Sequence, residues 1–245
     1  MSIVLLTGGA GGLGQAVTRN LLNGGHRVIA TYHPGHERPG HERPGHERPG
    51  QAWAEETADT KLVTRPIDLL DEVACRTLVR QVVADEGRID AAVLLVGGFA
   101  MGGLAETDFA AIDRMVRLNF QTAYQVARPV FEQMCSQPDG GRIVLIGARP
   151  ALEPDAARHM VAYSLSKALV LGLSDILNAS GREKNVVSTV LVPSVIDTPA
   201  NREAMPDADP TTWVHPDELA ELIQFVSFGP GMMLRQSVLK AYGKA

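Results

Sequence analysis

Thr7-Gly8-Gly9-Ala10-Gly11-Gly12-Leu13-Gly14 decides the fold, because it joins a short apolar run, Ile3-Val4-Leu5-Leu6, to a helical pattern over about Gly12 to Asn23. The run reads as a buried strand and the glycines as the turn that follows it. Gly8, Gly12 and Gly14 permit positive φ and close backbone approach, and a strand–turn–helix unit leaves main-chain N–H groups free at the helix N-terminus. A pyrophosphate sits naturally on such an end, so Gly8, Gly12, Leu13 and Gly14 are candidate dinucleotide-binding residues. A tight structural turn is the plainer alternative.

Outward from this unit the same grammar repeats. Further strand-like runs lie at Arg27 to Thr31, Lys61 to Val63, Ala92 to Val96, Arg142 to Ile146 and Val186 to Val192, with a last one around Ser237 to Lys240. Helical patterns fall between them at about Asp71 to Glu86, Asp108 to Met134, Ala157 to Ser180 and Pro216 to Phe228. Ile112, Met115, Val116 and Phe120 show the spacing of three and four. Alternation of strand and helix predicts right-handed crossovers and a doubly wound, parallel α/β sheet of the Rossmann type, seven strands with helices on both faces. Ligands of such sheets bind beyond the carboxyl ends of the strands. One single domain, residues 1–245, is expected.

The order is broken once. Gly35-His36-Glu37-Arg38-Pro39 is followed by the same five residues at Gly40 and at Gly45, a low-complexity insert over residues 35–50. A proline every fifth residue sustains neither a helix nor a central strand, so a solvated loop is expected. His36, His41 and His46 match no metal-ligand spacing, and no metal is assigned.

Composition narrows the classes of function. The chain has 245 residues, 45% of them hydrophobic and 21% charged, a net charge of -5 and two cysteines, Cys75 and Cys135. No apolar run approaches the roughly 18 residues of a membrane helix. Met1 to Leu6 leaves no room for a secretory leader before the glycine turn, so a cytoplasmic location is expected. An acidic balance gives no general attraction for nucleic acid, and a small-molecule substrate is the expected partner.

Tyr163-Ser164-Leu165-Ser166-Lys167 sets a phenol and an ammonium one helical turn apart on a common face. A cation close to a tyrosine favours the phenolate and brings its pKa nearer to working pH, which suits proton transfer. Ser164 and Ser166, as immediate neighbours, are expected to point away. At the end of the second strand, Thr31-Tyr32-His33 carries no acid for the 2′-hydroxyl of NAD; Glu37 in the repeat can swing back to it, but Arg38 is just as near, so the cofactor is NADP or NAD with the sequence leaning to NADP, and His33 is a candidate cofactor contact. Asp68, after the third strand, is placed either to meet an adenine or to cap a turn.

Together, the TGGAGGLG turn, Asn119, Tyr163 with Lys167, and Pro193 to Thr198 resemble the short-chain dehydrogenase/reductase family over nearly the whole chain. The resemblance implies a catalytic set of Tyr163 as proton donor, Lys167 holding the nicotinamide ribose and Asn119 anchoring a proton-relay water. It also implies cofactor contacts at Gly97, Lys167, Pro193 and Thr198. Two segments depart from the family pattern. Val96-Gly97-Gly98-Phe99-Ala100-Met101-Gly102-Gly103 replaces the usual NNAG, and Ile146-Gly147-Ala148-Arg149-Pro150-Ala151-Leu152 lacks the usual serine. A missing oxyanion-type donor is typically worth about 2.7 to 4 kcal/mol.

Both departures, and Asp197-Thr198-Pro199-Ala200-Asn201-Arg202-Glu203-Ala204-Met205-Pro206-Asp207-Ala208-Asp209 with Trp213 behind it, resemble the dihydropteridine reductase branch. That resemblance implies hydride transfer to a pteridine-like or imine acceptor, polarised enough to need no serine. Substrate contacts are then expected at Phe99, Ala148, Tyr163, Asn201, Met205 and Trp213, under a lid at 195–214. Phe99 either stacks on a planar ligand or packs against the lid. The alternatives are a serine-less carbonyl reductase and, from another class, a non-catalytic dinucleotide-binding regulator. The long helices from Asp108 and from Ala157 resemble the family's dimerising pair, so a homodimer or homotetramer is expected.

Overall fold

A computed structural model describes residues 1–34 and 59–244, and the GHERP repeats lie outside the described residues. The strands are β1 (Ile3–Thr7), β2 (Arg27–Tyr32), β3 (Leu62–Pro66), β4 (Ala91–Leu94), β5 (Gly141–Ile146), β6 (Val186–Pro193) and β7 (Val238–Ala241). They form one 7-stranded sheet in the order β3-β2-β1-β4-β5-β6-β7, every neighbouring pair parallel. This is the doubly wound sheet that the alternation predicts, and its order reverses between β1 and β4.

Period-two alternation divides β1 between two cores. Ile3 and Leu5 pack with α2 (Glu72–Glu86), α4 (Thr122–Ser136) and α6 (Val161–Gly181) on one face. Val4 and Leu6 pack with α1 (Gly12–Asn23) and α8 (Pro216–Ser227) on the other. Leu5 and Leu6 are wholly buried, each worth about 1.5–3 kcal/mol against exposure. Strands that must bury both faces therefore read as unbroken apolar runs, which is why they stand out in the sequence.

Helix boundaries differ from the periodic reading where side chains or distant segments intervene. The Asp71 carboxylate accepts from Ala74 N at 3.0 Å and caps α2 one residue later than expected. The pattern from Asp108 stays helical throughout but is interrupted by a π-helical turn: α3 (Phe109–Val116), the π turn over Arg117–Gln121, and α4. The pattern from Ala157 starts only at Val161, after a short α5 (Pro154–Ala157). Gly102 N donates to His159 O and Val161 N to Gly102 O, both at 2.9 Å, so the loop after β4 bridges to Met160 and α6 starts beyond it.

The segment 195–214, expected as a lid, folds as α7 (Pro199–Ala204) followed by a 3₁₀ turn (Pro210–Thr212). Its two ends are clamped together: Asp197 N donates to Val214 O and Val214 N to Val195 O, each at 2.9 Å. The clamp closes the excursion at its base, and Thr198, Pro199 and Ala200 line a cavity with Gly12 of α1.

Candidate active site

The glycine turn stands at the reversal point between β1 and β4. Gly8 adopts φ 76°, and Gly9 N donates to Thr31 O at 2.9 Å, tying the turn to the end of β2. A Cβ on Gly14 would fall 2.0 Å from Gly8 O, so only glycine lets α1 start this close to the strand. No side chain caps α1 and no acid lies in its first turn. Such an end, with free donors, the positive pole of the helix and no competing carboxylate, fits the pyrophosphate of a dinucleotide. Of Gly8, Gly12 and Gly14, Gly8 alone takes positive φ, while Gly14 serves the close approach of α1 to the turn. On the outer side of α1 an open cavity of about 430 Å³, lined by Gly12, Gln15, Arg19, Thr198, His215 and Asp217, adjoins the turn.

Asn119 lies within the π turn, which swings its side chain out of the helical register toward the loop after β4. Its Oδ1 accepts from Gly98 N at 2.8 Å, and its Nδ2 donates to Gly98 O at 3.1 Å and to Ser166 Oγ at 2.9 Å. From the first turns of α6, Lys167 Nζ donates to Ile146 O at 2.8 Å, at the carboxyl end of β5. The Cβ position of Gly97 lies 2.6 Å from Asn119 Oδ1 and 3.2 Å from Lys167 Nζ, so the amide, the ammonium and the loop converge on one point. Tyr163, one turn before Lys167, is half-buried, and its ring meets Phe99 edge-on with centroids 5.0 Å apart.

The titration of the pair runs opposite to the sequence expectation. Burial pushes the Tyr163 phenol up to about 12 and the Lys167 ammonium down to about 8, because each charged form loses hydration. The Tyr163 phenol is therefore protonated at neutral pH rather than already primed toward phenolate.

Serine is absent for a packing reason at Gly147, where a Cβ would fall 2.8 Å from Val190 Cγ1. Ala148 next to it is buried and carries no donor. Ser164 turns back on its own helix, its Oγ donating to Met160 O. Ser166 does not turn away from the site: it is wholly buried behind it and holds Asn119, a contact that neighbour spacing on a helix could not reveal.

The remaining expected residues are spread around these. Asp68 is exposed and its Oδ1 accepts from Leu70 N at 2.8 Å, the turn-capping alternative. His33 is exposed at the end of β2, and Pro193 closes β6. Thr198 faces Gly12, whose Cβ position lies 3.0 Å from its Cγ2, while its hydroxyl accepts from Asn201 N as the cap of α7. Asn201 Nδ2 donates to Ile196 O at 2.8 Å, a brace between α7 and the segment before it. Met205 ends α7 and Trp213 follows the 3₁₀ turn, both half-buried.

This geometry defines a dinucleotide-dependent oxidoreductase, and the sequence comparison agrees: the family described as short chain dehydrogenase matches residues 2–209. The chain belongs to that family of NAD(P)-dependent oxidoreductases. An acetoacetyl-CoA reductase of Acinetobacter sp. is 27% identical over 197 residues, 80% of this chain and 75% of that protein. The cyclic-di-GMP-binding biofilm dispersal mediator protein of Escherichia coli is 29% identical, over 81% of this chain and 74% of its own. A dihydropteridine reductase of Dictyostelium discoideum is 27% identical over 153 residues, 61% of this chain and 64% of that enzyme. Among solved structures, a short-chain dehydrogenase/reductase from Serratia marcescens superimposes with a TM-score of 0.83 at 23% identity, covering 100% of this chain and 98% of that one.

Proposed function

We propose that this chain is an NAD(P)H-dependent reductase whose acceptor is a planar, pteridine-like or imine compound, with Tyr163 as the proton donor. The observation that carries the reading is the make-up of the tyrosine's surroundings. Phe99 stands beside it as an aromatic wall, and the β5 turn, Gly147-Ala148, supplies no hydroxyl. A carbonyl gains from such a hydroxyl, whereas a conjugated imine is electrophilic without one.

A bound nicotinamide cofactor supplies the hydride. Gly8, Gly12, Leu13 and Gly14 would hold its pyrophosphate, with His33, Asp68, Gly97, Pro193 and Thr198 along its length and Lys167 on its ribose. Tyr163 holds its proton at neutral pH and gives it to the acceptor nitrogen as hydride arrives at the adjacent carbon. Lys167, cationic below about 8, balances the phenolate that results. Ala148, Asn201, Met205 and Trp213 would bound the acceptor under the lid. With no acid at Thr31-Tyr32-His33, NADP is favoured over NAD.

Exposed Tyr124 on α4 with Leu165, Leu169 and Ile176 on α6 support a homodimer or homotetramer through these helices. No helix among the described residues is long and apolar enough to cross a membrane, and a cytoplasmic location remains part of the proposal.

A serine-less ketoreductase is the second reading, favoured by the likeness to acetoacetyl-CoA reductase. A non-catalytic dinucleotide-binding regulator is the third, favoured by the likeness to the Escherichia coli mediator protein. Oxidation of NADH and NADPH with quinonoid dihydropterin and with simple ketones separates all three. Faster turnover of ketones would overturn the pteridine reading. The absence of turnover with either would favour the regulator. Tyr163→Phe is expected to abolish reduction while leaving dinucleotide binding in place.

A further inference from the structure

We infer that Ser166 is a positioning residue that fixes the side-chain amide of Asn119 against the loop after β4. The inference rests on the reading above for its kinetic consequence, but its structural content stands apart from it. Ser166 is wholly buried, and its hydroxyl hydrogen is committed to Tyr163 O at 2.7 Å. The oxygen therefore faces Asn119 only as an acceptor, and Asn119 Nδ2 meets it at 2.9 Å.

The other face of the amide is read equally strictly. Gly98 N can only donate and takes Oδ1, while Gly98 O can only accept and takes Nδ2. Turned over, the amide would set a donor against the Gly98 N–H and an oxygen against a hydroxyl whose hydrogen is already used. Ser166 and Gly98 together thus lock the orientation that keeps Asn119 Oδ1 beside the Gly97 position. One hydroxyl also links the two halves of the site, since it bonds the Tyr163 backbone and the Asn119 amide together. Cooperative polarisation along Asn119, Ser166 and the Tyr163 carbonyl strengthens each bond in a buried setting.

The test uses the full chain with Ser166→Ala and Ser166→Cys, and Ser164→Ala as the control. Cysteine keeps the serine shape with a slightly larger atom but is a weak acceptor, so it separates loss of side-chain volume from loss of the hydrogen bond. In both Ser166 variants kcat is expected to fall by about tenfold with the dinucleotide KM unchanged, the loss of roughly one well-placed hydrogen bond. Amide exchange at Gly98 is expected to speed up by about tenfold for the same reason. Ser164→Ala, whose lost bond is to its own helix, is expected to leave both unchanged. Recovery of wild-type kcat and Gly98 protection in Ser166→Cys, or no change in either quantity in Ser166→Ala, would overturn the inference. If the wild-type chain turns over no acceptor, the proposed function fails, while Gly98 exchange still decides the role of Ser166.

Discussion

The ring of Tyr163 meets that of Phe99 edge to face, with centroids 5.0 Å apart and planes at 76°. Phe99 is itself 57% exposed, so the face it does not share with Tyr163 is open to a ligand. An aromatic contact of this kind is worth about 0.5–1.5 kcal/mol beyond area burial. Phe99→Ala is expected to raise the acceptor KM by up to about tenfold while leaving the dinucleotide KM unchanged. Phe99→Trp is expected to preserve both. Steady-state kinetics with each substrate varied in turn checks this.

Gly97→Ala places a methyl group where Asn119 Oδ1 would be 2.6 Å away and Lys167 Nζ 3.2 Å away. Buried on several sides, both groups must shift. A displacement near 1 Å at a reacting centre costs on the order of 10²-fold in rate, so kcat is expected to fall by about that factor. Circular dichroism and thermal melting are expected to show the fold retained. A variant with wild-type kcat would show that the convergence at Gly97 has no bearing on turnover.

Lys167 makes stability depend on alkaline pH. Its folded pKa is about 8 against an ordinary 10.5, so between these values the unfolded chain binds a proton that the folded chain does not. Stability from this group therefore rises as pH increases through that window. Tyr163 acts in the reverse sense higher up, since its folded value of about 12 against an ordinary 10.0 lowers stability as pH rises above 10.0. Urea midpoints measured from pH 8 to 10 are expected to climb more steeply in wild type than in Lys167→Met.

His26 makes the opposite end of the molecule sensitive to acid. Its ring stacks on Phe228 with centroids 4.0 Å apart, and burial, aided by the Met1 amino terminus against the opposing pull of Asp90, holds its pKa below the ordinary 6.5. As pH falls through 6.5 the unfolded chain takes up the proton first, so stability is lost until the folded ring also titrates. His26→Phe keeps a stacked ring without the charge. Its stability is expected to change less than that of wild type between about pH 7 and pH 5, read as urea midpoints.

The sheet was legible because its inner strands, β1, β4, β5 and β6, are buried along nearly their whole length and carry apolar runs, and because TGGAGGLG marks the first crossover; the edge strands β3 and β7 are half-exposed and mix in Arg65 and Lys240. Helix ends were less so. The π turn at Arg117–Gln121 and the start of α6 at Val161 depend on contacts with Gly98 and Gly102, residues far away in sequence. Of the candidate site, Tyr163, Lys167 and Asn119 were visible as residue types at telling positions. Ser166 was not, because adjacency in a helix describes where a side chain leaves the backbone and not what has been folded against it.

By itself the sequence determined the doubly wound architecture, the dinucleotide turn and the lack of a serine beyond β5, since each follows from local patterning or from which side chains exist. Only the tertiary structure decided that Asn119 and Lys167 both approach the Gly97 position, that Thr198 and Asn201 spend polar atoms on bracing the start of α7, and that burial sets the Tyr163 and Lys167 pKa values apart. The reason is desolvation and long-range packing: both depend on neighbours that only the folded chain assembles.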